Sequence, residues 1–227
     1  MPQIQDFASL AQPRAAGWPR TVVGLLLNDP AALPALGDQV NQPPYKAPPK
    51  APVLYIKPAN TYARGGEAIV LPADVTNVQI GACLGIEIAR TATRVKVDEA
   101  LDYVAGYRLV ADLTVPHAMF YRPAIKQKCR DGFCPIGELT ARERIADPDA
   151  LTISVTVNGD APWQTTTAGR VRPVRQALAD VTEFMSLHPG DLLLLGIPAD
   201  PPLARAGQSY RIQADGLGEL ANTLVAA

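Results

Sequence analysis

At 227 residues, 48% of them hydrophobic and 19% charged, the chain is long and apolar enough to bury a sizeable core. A formal net charge of −1, with no block of like charges, argues against a nucleic-acid-binding stripe and against a membrane-surface helix. What remains is a protein that handles a small molecule, built from short segments punctuated by 22 prolines and 17 glycines.

Residues 1–20, with Pro2, Pro13 and Pro19, read as an N-terminal arm ahead of one domain over 21–227. The arm lacks the basic start and apolar centre of a signal peptide. The run TVVGLLL at 21–27 predicts a buried strand. Pro43, Pro44, Pro48, Pro49 and Pro52 then lead into a second strand at 53–56, and 67–71 gives a third. Residues 78–89 form a fourth, with β-branched residues at both ends and glycines inside. A short helix is expected at 98–104. The apolar run 107–111 places Asp112 at a strand end. Residues 151–157 alternate strictly and run into Asn158-Gly159, a hairpin signal. A longer helix is expected over 173–187, where Val174, Ala177, Leu178, Val181, Phe184, Met185 and Leu187 recur at three- and four-residue spacing. Pro173 suits its first turn and Pro189-Gly190 its stop. Strands at 192–197 and 209–214 complete a mainly β fold with flanking helices (α+β). No apolar stretch is long enough to span a bilayer. Three cysteines (Cys83, Cys129, Cys134), odd in number and without zinc spacing, fit a reduced, cytoplasmic setting.

Candidates for chemistry are few. No Gly-x-Ser-x-Gly elbow, phosphate loop or dinucleotide fingerprint occurs. Of the two histidines, His188 sits where a helix cap is expected, and His117 lies in a loop, where a structural role is favoured over a functional one. The densest polar segment is FYRPAIKQKCRDGFCPIG at 120–137, with Arg122, Lys126, Lys128, Arg130 and Asp131 among apolar residues. Its bland reading is a solvated basic loop. If Ile125, Phe133 and Ile136 are buried, some of these cations are drawn into a cleft, and a buried cation needs an anion. Asp112 either closes a turn with its own backbone or faces a site.

Seven segments in order resemble the fumarylacetoacetate hydrolase superfamily: APVLYIKPANT, EAIVLP, IARTA, GYRLVADLT, KCRDGFCPIG, SLHPGDLLLLGIP and GLGELANTLV, together covering roughly residues 20–225. Two runs, PPYKAPPKAPVLYIKPANT and YRPAIKQKCRDGFCPIG, are similar to the N-terminal half of the family's bifunctional enzymes of 4-hydroxyphenylacetate (homoprotocatechuate) breakdown. Those enzymes decarboxylate 5-oxopent-3-ene-1,2,5-tricarboxylate and isomerise 2-hydroxyhepta-2,4-diene-1,7-dioate.

The resemblance implies a mixed β-sandwich roll, a dicarboxylic or tricarboxylic oxo-acid as ligand, and an oligomer with a homologous C-terminal-type subunit. It implies Lys128 and Asp112 as catalytic residues and Arg122, Thr61 and Thr167 as substrate contacts. It also exposes departures. The family holds Mg²⁺ or Mn²⁺ with Glu-x-Glu on one strand face and a later Asp. Those positions fall on Gly81, Cys83 and Asp112, so only Asp112 supplies a carboxylate. Glu87 shares that face but lies about 13 Å beyond Cys83 at roughly 3.3 Å per residue. The family's early histidine falls at Asp29, and its later Arg and Gln fall at Pro116 and Met119. The expectation is therefore no cofactor in this chain, with Mg²⁺ or Mn²⁺ in the partner subunit. The other reading is a non-catalytic companion of that partner.

Overall fold

The computed structural model describes residues 18–227, so most of the arm at 1–20 lies outside the described residues. The strands are β1 (Val22–Leu26), β2 (Val53–Lys57), β3 (Tyr62–Arg64), β4 (Ala68–Leu71), β5 (Val78–Ile88), β6 (Val104–Thr114), β7 (Cys134–Ile136), β8 (Thr140–Ala141), β9 (Thr152–Val157), β10 (Trp163–Thr166), β11 (Leu192–Leu194), β12 (Leu203–Ala204), β13 (Ser209–Ala214) and β14 (Gly218–Ala226). The α-helices are α1 (Ala32–Ala35), α2 (Ile125–Lys128) and α3 (Val174–Thr182). Among the described residues no helix is long and apolar enough to cross a membrane.

One sheet runs β2-β1-β11-β5-β6-β7-β3, with β12 on β5 and β8 on β6; the other runs β10-β9-β13-β14-β4. Period-two alternation decides what each face does. On β5, Ile80, Ala82, Leu84, Ile86 and Ile88 face the second sheet and pack with Ile153, Val155, Ile212, Leu220 and the buried side of α3. Each fully buried Ile or Leu side chain among these contributes about 1.5–3 kcal/mol. The opposite face carries Gly81, Cys83, Gly85 and Glu87. There Cys83 joins Val22, Tyr55, Val110, Cys134, Ile136, Leu192 and Leu194 in a second apolar cluster.

That second cluster lies inside a roll. β2 and β3 stand at opposite ends of the seven-strand path, yet only residues 58–61 separate them in sequence. The sheet must therefore curl until its ends meet. The seam is closed by a side chain: Lys57 Nζ, at the end of β2, donates to the carbonyls of Leu113 (3.0 Å), Lys128 (2.8 Å) and Phe133 (2.8 Å).

Several local expectations need correction. The segment expected as a helix at 98–104 is a 3-10 turn, Ala100–Tyr103, and Val104 already starts β6. α3 stops at Thr182, short of 187, because the Thr182 carbonyl accepts from Arg94 N (2.6 Å) and its hydroxyl accepts from Val95 N (3.0 Å). The helix end is thus tied to the 94–95 segment. His188 consequently caps no helix: it opens the turn before β11, its amide donating to Asp191 Oδ2 at 2.7 Å. The 151–157 strand does form a hairpin with β10, through a loop in which Asn158 and Gly159 both have positive φ.

Candidate functional site

β6 delivers Asp112 to the inside of the roll, where the carboxylate is completely buried and has three partners. Lys57 Nζ lies 2.6 Å from Oδ1, Lys128 Nζ lies 2.7 Å from Oδ2, and Tyr55 donates its hydroxyl to Oδ2 at 2.5 Å. Lys128 Nζ also donates to Thr114 Oγ1 at 2.8 Å and sits 4.3 Å from the centre of the Tyr55 ring. Strand parity explains the assembly. Tyr55 and Lys57 are two apart on β2, and Asp112 and Thr114 two apart on β6, so each pair shares a face. Room for the Tyr55 ring exists because Gly24 on β1 has no Cβ: one there would overlap the ring.

The single turn of α2 selects which cation enters. Lys126 and Arg130 are four residues apart and share the exposed side, where both pair with Asp74, Arg130 through two bonds of 2.9 Å. Lys128, between them, points to the interior and is 1% exposed. Ile125 was expected inside but is 53% exposed; Phe133 and Ile136 are buried.

Burial alone would push the Asp112 carboxyl up. The neighbouring Lys128 and Lys57 ammonium groups together outweigh it and hold the group at about 2. Burial, with Lys57 adding to it, lowers the Lys128 pKa against the opposing pull of Asp112. Burial and the Asp112 charge push the Tyr55 phenol well above its ordinary value, so it stays protonated and donates. The folded Asp112 value lies below the unfolded value of about 3.9. Its contribution to stability is therefore fully present above about pH 4 and lost as pH falls through 2. Acid unfolding followed by circular dichroism should show this loss, and an Asp112→Asn variant should lack that component. Identical acid slopes would contradict the assignment.

Lys128 and Thr114 form the floor of a cleft of about 200 Å³ at one open end of the roll. The end of β1, α1, the 3-10 turn Gly37–Asn41 and residues 197–199 beyond β11 all contribute to the lining of this cleft. Leu25, Leu26, Ala35, Leu36, Phe120 and Ile197 supply apolar walls, and Gln79, Gln39 and His117 add polar groups. His117 is half-buried, which lowers its pKa, and its Nδ1 lies 3.0 Å from the carbonyl of Met119.

Of the residues singled out in the sequence, the structure brings Asp112 and Lys128 together and leaves three elsewhere. Arg122 is exposed and does not line the cleft. Thr61 is buried, but its hydroxyl donates to the carbonyl of Pro58 at 2.7 Å and closes the turn between β2 and β3. Thr167 is buried and accepts from the amide of Leu151 at 2.9 Å. Asp29, at the family's histidine position, pairs with Arg170 at 2.7 Å. Pro116 and Met119 are exposed. Two residues were missed, Tyr55 and Lys57. Their signal is a lysine at the end of an apolar strand, two residues from an aromatic one.

Comparison with known proteins places this geometry. A family model described as "Fumarylacetoacetate (FAA) hydrolase C-terminal" matches residues 21–225. The chain belongs to the fumarylacetoacetate hydrolase family. Within it, the chain is 43% identical over 206 residues to the 4-hydroxyphenylacetate degradation bifunctional isomerase/decarboxylase of Salmonella dublin, covering 91% of this chain and 47% of that protein. It is 42% identical over 205 residues to the enzyme of the same name from Escherichia coli, again with 47% of that protein covered. The chain thus spans about half the length of these curated relatives. Among solved structures, maleylpyruvate hydrolase from Sphingobium sp. SYK-6, in complex with manganese(II) and pyruvate, superposes with a TM-score of 0.74 at 26% identity. That match covers 92% of this chain and 72% of the other.

The fumarylacetoacetate hydrolase family's metal does not fit this roll. A Cβ on Gly81 would lie 2.5 Å from Ile197 Cγ2 and 2.6 Å from the Asp112 carbonyl, so no side chain of any kind has room there. Cys83 is buried in the apolar cluster, and burial pushes its thiol up to about 12, which leaves it protonated. Asp112 already meets two ammonium groups and a phenol. Glu87, the remaining carboxylate on that face, is paired with Arg108 at 2.5 Å. A hard divalent cation needs several oxygen ligands, and the two carboxylates of this face, Asp112 and Glu87, are both already engaged.

Proposed function

We propose that this chain is one unit of a decarboxylase/isomerase acting on unsaturated dicarboxylic and tricarboxylic oxo-acids, as in 4-hydroxyphenylacetate breakdown. It works in a complex with a homologous C-terminal-type subunit. The single observation carrying this reading is the 43% identity over 91% of the chain to the bifunctional isomerase/decarboxylase, combined with coverage of only 47% of that protein. A relative twice as long has room for a second, homologous half. The Mg²⁺ or Mn²⁺ of the family belongs in this reading to the partner, because Gly81 and Cys83 offer no ligands here.

In such a reaction the bond to the departing carboxyl group breaks, its electron pair passes into an enolate, and a proton is later returned at carbon. This chain's part is to orient the substrate. Lys128 holds a carboxylate or the developing enolate oxygen, where a cation in an apolar cleft lowers the energy of negative charge. The second reading, a companion without chemistry of its own, draws its support from the filled metal position.

Co-expression with a homologue that keeps Glu-x-Glu tests the proposal. The expected result is a stable hetero-oligomer with both activities, while this subunit alone shows little of either. Full activity of the purified single subunit would overturn the partner requirement. In the complex, Lys128→Ala should lower kcat/KM without dissociating the subunits. An unchanged rate would favour the companion.

A further inference from the structure

We infer that the Lys57–Asp112–Lys128 cluster makes the cleft a carboxylate site that operates without any divalent cation. The inference rests on the proposed function for its substrate class only. Two ammonium groups and one carboxylate are enclosed together, the side chains of Lys57 and Asp112 at 0% exposure and that of Lys128 at 2%. The enclosed charge is one positive unit in excess, and an uncompensated buried charge is strongly unfavourable.

The geometry fixes where the excess emerges. Lys57 Nζ has four oxygens around three protons: Asp112 Oδ1 and the carbonyls of Leu113, Lys128 and Phe133. It has no direction left for a ligand and does not line the cleft. Lys128 Nζ has two oxygen partners, Asp112 Oδ2 and Thr114 Oγ1, and does line the cleft. The Tyr55 ring, its centre 4.3 Å away, is the remaining neighbour of this ammonium, so its third N–H has no oxygen partner and is the exit for the surplus charge. A carboxylate arriving there completes the ammonium's coordination and neutralises the cluster at once. The apolar walls, Leu36 and Ile197 among them, strengthen a charge-assisted bond of this kind by excluding water.

The sign of the field is opposite to that of a metal site awaiting its ion. Tyr55, Lys57 and Ile197 occupy or cover the face where carboxylates would face a cation, and they leave a cationic floor in their place. At about 200 Å³ the cleft is smaller than the usual 300–1,000 Å³ of ligand pockets, which fits a small acid rather than a nucleotide.

Calorimetric titration of the full chain with pyruvate and with glutarate, in excess EDTA and again in excess Mg²⁺, tests this. The expected affinities are equal in the two conditions, and the neutral amide of pyruvate does not bind. Lys128→Met removes the surplus charge while leaving Asp112 paired with Lys57, so the variant stays folded, as a thermal melt will verify. It should bind about 10- to 100-fold more weakly. Binding that appears only with Mg²⁺, that survives in Lys128→Met, or that is absent for both acids would overturn the inference. An active hetero-oligomer whose free subunit binds neither acid would sink the lysine site and leave the family role standing. Metal-independent binding in a subunit that never yields an active complex would do the reverse.

Discussion

Replacement of Asp112 by Asn is expected to lower stability by about 3–5 kcal/mol, because it leaves two buried ammonium groups with no counter-charge. For a chain of this size that corresponds to a fall of about 6–20 °C in Tm. The shape of the side chain is kept, and Asn Oδ1 still accepts from a lysine, so the loss isolates the charge. A double variant, Asp112→Asn with Lys128→Met, removes one of the stranded cations and should recover a large part of the loss. The non-additivity of that cycle measures the coupling directly. A single variant melting within about 2 °C of the parent would mean that the cluster is not charged as drawn.

The second large effect concerns the metal. Rebuilding the family's pair with Gly81→Glu and Cys83→Glu is expected to destabilise the fold by at least ~3 kcal/mol and to create no Mg²⁺ site. The collision at Gly81 is partly with the backbone carbonyl of Asp112, which cannot rotate away. The Cys83 position is enclosed by Tyr55, Val110, Leu192 and Leu194. The parent chain should likewise show no tight, stoichiometric Mg²⁺ binding by calorimetry. A one-to-one, tight titration in either protein would show that the roll opens to admit an ion, and would require a different pairing between β5 and β6.

Much of the framework is legible in the sequence, and the reasons differ by element. β1, β5 and β9 carry enough alternation or apolar length, bounded by turn residues, to be read directly. β3, β7, β8 and β12 are two or three residues long, too short for any period to show. The end of α3 is invisible because its apolar spacing continues to Leu187, and only the tertiary bonds of Thr182 stop it. Asp112 and Lys128 were legible as candidates through family resemblance. Lys57 was not: its position two residues beyond Tyr55 is a signal, but nothing local says which parity of β2 meets the inside of a roll. That assignment needs the closure of the sheet, a long-range event. Arg122 lies in the segment before α2, and nothing local reports that its side chain is exposed. Thr61 and Thr167 show that a threonine within a family motif can be buried to satisfy the backbone at a turn.

The seam between the two ends of the rolled sheet has a dynamic consequence. A strand ladder frays one rung at a time, since each rung is a separate pair of atoms. Here the three carbonyls of Leu113, Lys128 and Phe133 are all held by one nitrogen. Withdrawal of that nitrogen removes a partner from each of the three and from Asp112 in the same movement, leaving Phe133 its bond from the Leu113 amide at 3.1 Å. Local opening is therefore expected to be cooperative: hydrogen exchange should show β2, α2 and the turn at Phe133 opening together, and independent exchange rates would contradict the coupling. Lys128, in the lining of the cleft, belongs to that unit, so a ligand that neutralises it is expected to slow the breathing of the seam.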